Sequence, residues 1–468
     1  MAGFFALGEQ KVRPGAYLRY ENGSGIVSAS AQNGVVAALF KGNFGPMGEV
    51  VSLGSESEII KYFGPSGVDI ASAALLGGAK EIKCVRVGNG GTKASITLKD
   101  TANNPANVVR IFAKYEGSLP LSVTIRDSIS NPDGRECIIY SGLTQIAKFA
   151  FAGGSEEVAG LVDAINANSD SIIGATKVAD GNGILAAVTQ TPFTAGTDPT
   201  VTVSDYSAAA DLLESHQWNV LVTDSDDASV QAVMAAFIKR VTESGLLVMG
   251  VFGEPTSIAF ATRKAHASAF NDAGIVYVIN GFKIGDVAYE GYKAAAMIGG
   301  LIACVPSSES LTHRTIPSAT DIIGELTNTQ IIECIKAGAL CITRSSAGSV
   351  WIEAAINTLV ILLGEQDDGW KKIRRTKTRY ELMTRVQATV EPLIGKINNN
   401  TDGRSTFMMA AQGVINEMIS EGKLESGSVK EDPSNPPKGD SAWFIVAVDD
   451  IDSMEKTYTT FVFRFAAE

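Results

Sequence analysis

The stretch richest in chemical potential is Thr223-Asp224-Ser225-Asp226-Asp227, at the carboxyl end of the apolar run 219–223. Open α/β sheets place their ligand sites at that end of a strand, and oxygen ligands so spaced suit a divalent cation. The same residues also make an ordinary loop in which Asp226 or Asp227 caps the next helix, favoured by the helix dipole. The cap is the preferred reading. A nucleotide- or metal-dependent α/β hydrolase at this cluster is one alternative function, and a monomeric binding module whose terminal strands pair internally is another. GNGGTK (88–93) follows a strand-like run, yet it misses the GxGxxG spacing, and no GxxxxGK[ST] occurs. It reads as a turn. His216, His266 and His313 are isolated, there is no HExxH or GxSxG, and no cysteine has a histidine close in sequence. No catalytic, cofactor-binding or metal-ligating residue is assigned, no cofactor is expected, and the hydrolase rests on fold class alone.

Chemistry of another kind lies in segments that look for partners. In the run 455–465 (EKTYTTFVFRF), Phe461, Phe463 and Phe465 point to one face, and Val462 and Arg464 to the other. Such a strand is either an edge of its own domain or a donor to a neighbour's sheet, because unpaired edges template pairing between chains. Periodicity alone favours the own-domain reading. The run 16–20, after Pro14-Gly15, is the same kind of object at the other end. The stretch 370–380 (WKKIRRTKTRY) sets six basic residues, at 371, 372, 374, 375, 377 and 379, in a chain of formal net charge -12. Read as a strand, it puts Arg375, Lys377 and Arg379 on one face with Ile373, and Lys372, Arg374 and Thr376 on the other. A solvated face is the usual explanation. A patch for an acidic partner is the sharper one, since like charges packed together repel.

The elements that position these segments follow from composition and period. A chain of 468 residues divides into two or three domains. Its 45% hydrophobic and 19% charged residues are globular values, and its acidic balance argues against a nucleic-acid-binding surface. The opening MAGFFALGEQKVRPG lacks the pattern of a secretory signal, and apolar runs such as 294–306 read as buried helices rather than membrane spans. Cys84, Cys137, Cys304, Cys334 and Cys341 form no CxxC pair and sit in apolar runs, so buried free thiols in a reducing compartment are expected.

Between 26 and 90, short strands (35–40, 82–87) alternate with helices after Ser57 and over 68–76. From 91 to 199, β-type runs at 94–98, 108–114, 121–126, 137–140 and 148–151 alternate with turns such as NPDG. One helix interrupts them, capped by Ser155 and running through Ile165. Strand, helix and strand then succeed one another: 219–223, a helix with Val230, Val233, Met234, Phe237, Ile238 and Val241 on one face, 246–252, a helix over 257–272, and 275–280. Helices over 350–363 and 405–420, a polar loop over 426–440, and strands over 442–448 and 457–465 complete the reading. The fold class is α/β, multi-domain, with a doubly wound core sheet, an inserted β-rich domain and extended N- and C-terminal arms.

Four stretches carry a resemblance to a family. KVRPGAYLRY (11–20) resembles the opening of tail sheath proteins of contractile phage tails and related particles, whose arm carries an RPG(V/I)Y-type motif. AKYEG (113–117) resembles a stretch of the family's inserted domain. TAGTD (194–198), with VSDY at 203–206, is similar to its glycine-rich GGxDG…DY junction, and WKKIRRTKTRYE to its W…I…RR segment. Ala195, Pro199 and Ser118-Leu119-Pro120 depart from the pattern.

The resemblance implies a structural, non-enzymatic subunit that stacks as six-fold rings around an inner tail tube, with baseplate and tail terminator proteins as further partners. It implies assembly in the bacterial host cytoplasm and a final place in a virion or phage-tail-like particle, with no direct nucleic-acid binding and no membrane insertion. It divides the chain into an N-terminal arm (1–20), a core (21–90 with 200–345), an outward-facing inserted domain (91–199), a C-terminal sheath domain (346–452) and a C-terminal arm (453–468). Donation of the terminal strand becomes the leading reading. The expected partner-binding residues are Arg13, Pro14, Gly15, Tyr17, Arg375, Lys377, Arg379, Tyr458, Phe461, Phe463 and Phe465.

Overall fold

Continuous apolar runs without alternation become parallel strands, because a strand covered by helices on both faces has no wet side to mark with polar residues. Ala339–Leu340, Ile275–Val278, Met249–Gly253, Val220–Thr223, Val35–Phe40 and Glu81–Arg86 lie side by side in that order, all parallel, and Val51–Leu53 joins antiparallel at the edge. Every residue of Val35–Phe40 and Val220–Thr223 is buried. The computed structural model describes residues 3–4, 17–18, 33–168, 171–364 and 366–464. Contacts divide the described chain into two units, one of Gln32–Tyr380 with the tail from Ile451, the other of Glu381–Asp450.

One face of the sheet is covered by the helices Asp69–Leu76 and Tyr292–Cys304. Glycine lets them approach closely: a Cβ on Gly300 would stand 2.1 Å from the Ala74 carbonyl oxygen. Val203–Asp211, Ala228–Glu243, Phe260–Phe270 and Asn328–Lys336 cover the other face. The stripe read from sequence packs as expected, with Val230, Met234, Phe237, Ile238 and Val241 buried and Val233 half-buried.

The block after Glu81–Arg86 folds as two antiparallel sheets around one core. Thr144–Ala152, Gly134–Ser141, Leu121–Asp127 and Val188–Pro192 form the first, and Ile173–Lys177, Asn107–Ala113 and Ser95–Lys99 the second. Its incoming and outgoing chains pair as a narrow stem, Asn89 with Thr200, Thr92 with Thr197 and Ser95 with Thr194. Gly196 belongs to this stem because a Cβ there would meet the carbonyl oxygens of Gly117 and Thr92, each at 2.3 Å. The helix Glu157–Asn166 corrects the expectation of a Ser155 cap, since no side chain caps it. The buried Glu157 carboxylate takes the amides of Gly154 (3.0 Å) and Leu185 (2.8 Å), together with Arg135 Nη1 at 2.5 Å. The helix begins one residue later than a Ser155 cap requires, since the N-cap position falls on Glu156.

Two further expectations are corrected. No helix occupies 350–363. Val350–Ile352 is a strand paired with Ile342–Arg344. Beyond it, the amides of Asn357 and Thr358 donate to the carbonyls of Lys371 and Ile275, each at 2.8 Å, and those of Val360 and Ile361 donate to Asn271 Oδ1. Tertiary acceptors have taken the donors a helix needs. The polar stretch 426–440 begins in the strand Leu424–Glu431, which pairs with Phe444–Asp450.

That hairpin and the helix Thr401–Ser420 make the second unit, over a small core of Leu382, Val414, Ile415, Met418 and Leu424. Buried charge supplements it. Arg385 meets Glu381 at 2.6 Å and Glu421 at 2.9 Å, and Lys423 meets Glu381 at 2.7 Å.

Glu157→Ala strands the buried Arg135 guanidinium and is expected to cost about 3–5 kcal/mol. Ser155→Ala is expected to stay within about 0.5 kcal/mol. Urea unfolding of both variants, followed by circular dichroism, checks the contrast.

Candidate assembly surfaces

The basic run is not a strand. It forms the first turns of the helix Ile373–Val390, which corrects the alternating faces expected from sequence. On a helix Arg375 and Arg379, four apart, share a face, and Lys377 lies between them in sequence on another side. The buried set Arg374, Thr378, Glu381, Arg385 and Thr389 follows the helical period, with polar types where the pattern normally shows apolar ones.

Every cation of the run has an acceptor in its own unit. Lys371 meets Asp368 at 2.9 Å, and Arg375 meets both Asp367 oxygens at 3.0 Å. That guanidinium holds the Asp367 carboxyl below the usual aspartate range. Arg379 lies over the Trp370 ring at 3.8 Å. Lys377 donates to the carbonyls of Ile302 and Val305, where a cation also suits the negative end of the helix Tyr292–Cys304. Lys372 and Arg374 turn toward the chain's tail.

The tail itself shows no strand from Ile451 to Arg464, so the expected strand over 457–465 is corrected within the described residues. Tyr458, Phe461 and Phe463 stand 92%, 77% and 87% exposed, and Phe465 lies outside the described residues. The own-domain pairing that periodicity alone favoured is not made. At the other terminus Tyr17–Leu18 pairs in parallel with Gly3–Phe4, while Arg13, Pro14 and Gly15 lie outside the described residues. The hairpin Leu424–Glu431/Phe444–Asp450 pairs with no third strand among the described residues and exposes Trp443, Ile445 and Val446.

The acidic cluster is taken up by the fold. Asp224 accepts the Tyr206 hydroxyl and, at 2.7 Å, the Lys41 amide. Asp226 accepts the Tyr292 amide at 2.8 Å, and Asp227 caps Ala228–Glu243 through the Ser229 amide at 2.8 Å. Burial pushes Asp226 up to about 6, with the charges of Glu254 and Glu290 adding to the effect. His266 Nδ1 is 2.8 Å from the buried Glu254, and His313 stacks on Trp351 at 4.0 Å. No group of three or more His, Cys, Asp or Glu among the described residues is placed to hold a metal ion. No described helix is long and apolar enough to cross a membrane. Sequence reasoning missed the acceptors Asp452 and Glu455 at the root of the tail. Two carboxylates just ahead of an aromatic run, in a chain with one basic cluster, were the available signal.

A doubly wound core, a β-rich insertion and an unpaired aromatic tail define a structural subunit that works through its surfaces. Residues 200–358 match the phage tail sheath protein central domain and 365–464 the phage tail sheath C-terminal domain, more than half of the chain together. The chain belongs to the phage tail sheath family, and its role is that of a structural sheath subunit. It is 22% identical to the phage-like element PBSX protein XkdK of Bacillus subtilis, over 97% of this chain and 98% of that protein. Its fold matches the sheath tail protein of Desulfitobacterium hafniense with a TM-score of 0.71 at 19% identity, covering 93% of this chain and all of that one. It also matches the helical sheath of the anti-feeding prophage in its contracted state, with a TM-score of 0.55 at 11% identity over 97% and 99% of the two chains.

Asp226 binds its proton more tightly folded than unfolded. Its protonation therefore adds stability at low pH, and that contribution is lost as pH rises through about 6. Asp226→Asn keeps an acceptor for the Tyr292 amide without the charge. The wild type is expected to lose stability relative to D226N between about pH 4 and about pH 6.5, read as diverging urea midpoints.

Proposed function

We propose that copies of this chain stack as six-fold rings around an inner tail tube and contract by rigid-body rotation, driving the tube through a target envelope. Baseplate and terminator proteins bound the stack. Assembly takes place in the bacterial host cytoplasm, and the product is a virion tail or phage-tail-like particle. The observation that carries this reading is the tail: Tyr458, Phe461, Val462 and Phe463 are exposed, with no strand partner among the described residues. A second copy supplies the partner by strand addition, in which ladder bonds provide affinity and alternate side chains specificity. The receiving sheet is the hairpin Leu424–Glu431/Phe444–Asp450, because a two-stranded ribbon is marginal alone and gains from a third strand. The N-terminal arm, with Arg13, Pro14, Gly15 and Tyr17, is the second donor. The block on its narrow stem, about 91–199, faces outward. Contraction draws on subunit contacts that improve as the rings turn, so no nucleotide or other cofactor is required.

The inner tube is met by Arg375 and Arg379, which share a helix face, while Lys377 supports that helix from behind. Both guanidiniums are half-buried, and the part of such a contact that reaches solvent is screened over roughly 8–10 Å at physiological ionic strength.

Deleting residues 456–468 is expected to leave cooperative melting intact and abolish rings and striated tubes in negative-stain micrographs. Loss of melting would assign the segment to its own domain. Arg375→Glu with Arg379→Glu is expected to remove tube-dependent polymerisation and spare tube-free polymerisation; equal loss in both assays would put these residues at contacts between sheath copies.

A further inference from the structure

The root of the tail sits in a socket built from two distant segments. Lys372 Nζ lies 2.6 Å from Asp452 Oδ2 and 3.2 Å from Glu455 Oε2. Ser310 Oγ and Thr312 Oγ1 donate to Glu455 Oε1 at 2.8 and 3.0 Å. Arg374 Nη1 reaches Ser453 Oγ at 2.9 Å. The socket is itself braced. Arg374 is only 5% exposed and donates through Nε to the Ser307 carbonyl at 3.3 Å, and Thr312 Oγ1 also accepts the Ala355 amide at 3.0 Å. Carboxylate, ammonium and hydroxyls form one charge-assisted set, stronger than neutral pairs would be.

Burial along the root alternates. Ile451, Ser453 and Glu455 are half-buried, whereas Asp452 is exposed and Met454 is 85% exposed. That is the period of an extended chain, whose successive side chains point to opposite sides. Glu455 is therefore a phase marker. Counted onward from it, Phe461, Phe463 and Phe465 share its parity, and Tyr458, Val462 and Arg464 take the other.

We infer that the socket of Ser310, Thr312, Lys372 and Arg374 phases the C-terminal arm: by clamping Glu455 it decides which face of the arm carries the phenylalanines into the sheet of a second copy. The inference rests on the donated-strand reading. A slip of one residue in a strand exchanges its two faces, and a slip of two restores them. A strand on a loose tether would choose its face on docking and be indifferent to such a slip. A strand leaving a clamped root is not.

The test uses the full-length chain with one or two alanines inserted after Lys456, beside a chain ending at Lys456. Polymer is measured by sedimentation and negative-stain microscopy. One alanine is expected to reduce polymer at least about tenfold relative to two alanines, with cooperative melting unchanged in both. In a Lys372→Ala, Glu455→Ala background the difference between one and two alanines is expected to shrink toward none. Equal polymer from both insertions, with the truncated chain inactive, overturns the phasing and leaves strand donation standing. Persistence of the difference in the loosened background places the phase outside the socket and overturns the inference. Normal polymer from the truncated chain sinks strand donation itself, and the phasing with it.

Discussion

A main-chain amide or carbonyl withdrawn from water must be paired, and this obligation shapes every level of the chain. In the core it is met by parallel strands that pair side by side under a double cover of helices. In the inserted block it is met by a stem that pairs its own incoming and outgoing strands, so one continuous chain supports a lobe without leaving broken ladders at the junction. Where 353–363 runs irregularly, side chains such as Asn271 and carbonyls such as that of Ile275 stand in for a ladder. At the hairpin's outer edges and along the tail it is not met among the described residues, and those are the segments to which assembly is assigned.

The core was legible because its signals are local. Buried parallel strands write themselves as unbroken apolar runs, and Asp227 ahead of an i, i+3, i+4 stripe announces a capped helix. The helix Ile373–Val390 was illegible for the opposite reason: its inward face carries Arg374, Thr378, Glu381 and Arg385, so hydrophobic period vanishes although helical period remains. Those polar types can be inward only because Ser307, Ser453, Glu421 and Lys423 wait for them, partners far away in sequence. Ser155 failed as a cap because the helix starts past it, at Glu157, whose carboxylate is held by Arg135 and the Leu185 amide across the block. The strand Leu424–Glu431 hid behind Ser, Gly and Lys because its outer face is wet. Of the surfaces assigned to assembly, the aromatic alternation was plain. The socket was not, because Lys372 lies 80 residues from Asp452 and Thr312 lies 143 from Glu455 in sequence.

The basic run illustrates how charge is reused. In an acidic chain it reads as one patch, yet the fold distributes it into separate tasks: Lys377 on the carbonyl end of a core helix, Arg379 over an indole, Lys372 and Arg374 on the tail. Density of charge in sequence is thus a poor measure of density on a surface, since a helix turns consecutive residues through about 100° each.

The burial of Cys84, Cys137, Cys334 and Cys341 bears on how a lattice of such copies behaves in air. A lattice of many identical copies exposed to dissolved oxygen would be welded by stray intermolecular bridges if each copy offered several accessible thiolates, because the ionised, reachable sulfur is the reactive one. Apolar surroundings push the Cys137 thiol up to about 12 and Cys84 beyond it, so both stay protonated and inert. Only the half-buried Cys304 lies nearer solvent, and its Sγ is engaged with the Gly77 and Leu301 carbonyls. Contacts between such copies therefore stay non-covalent in air, since neither Cys84 nor Cys137 offers a thiolate to tie one copy to the next.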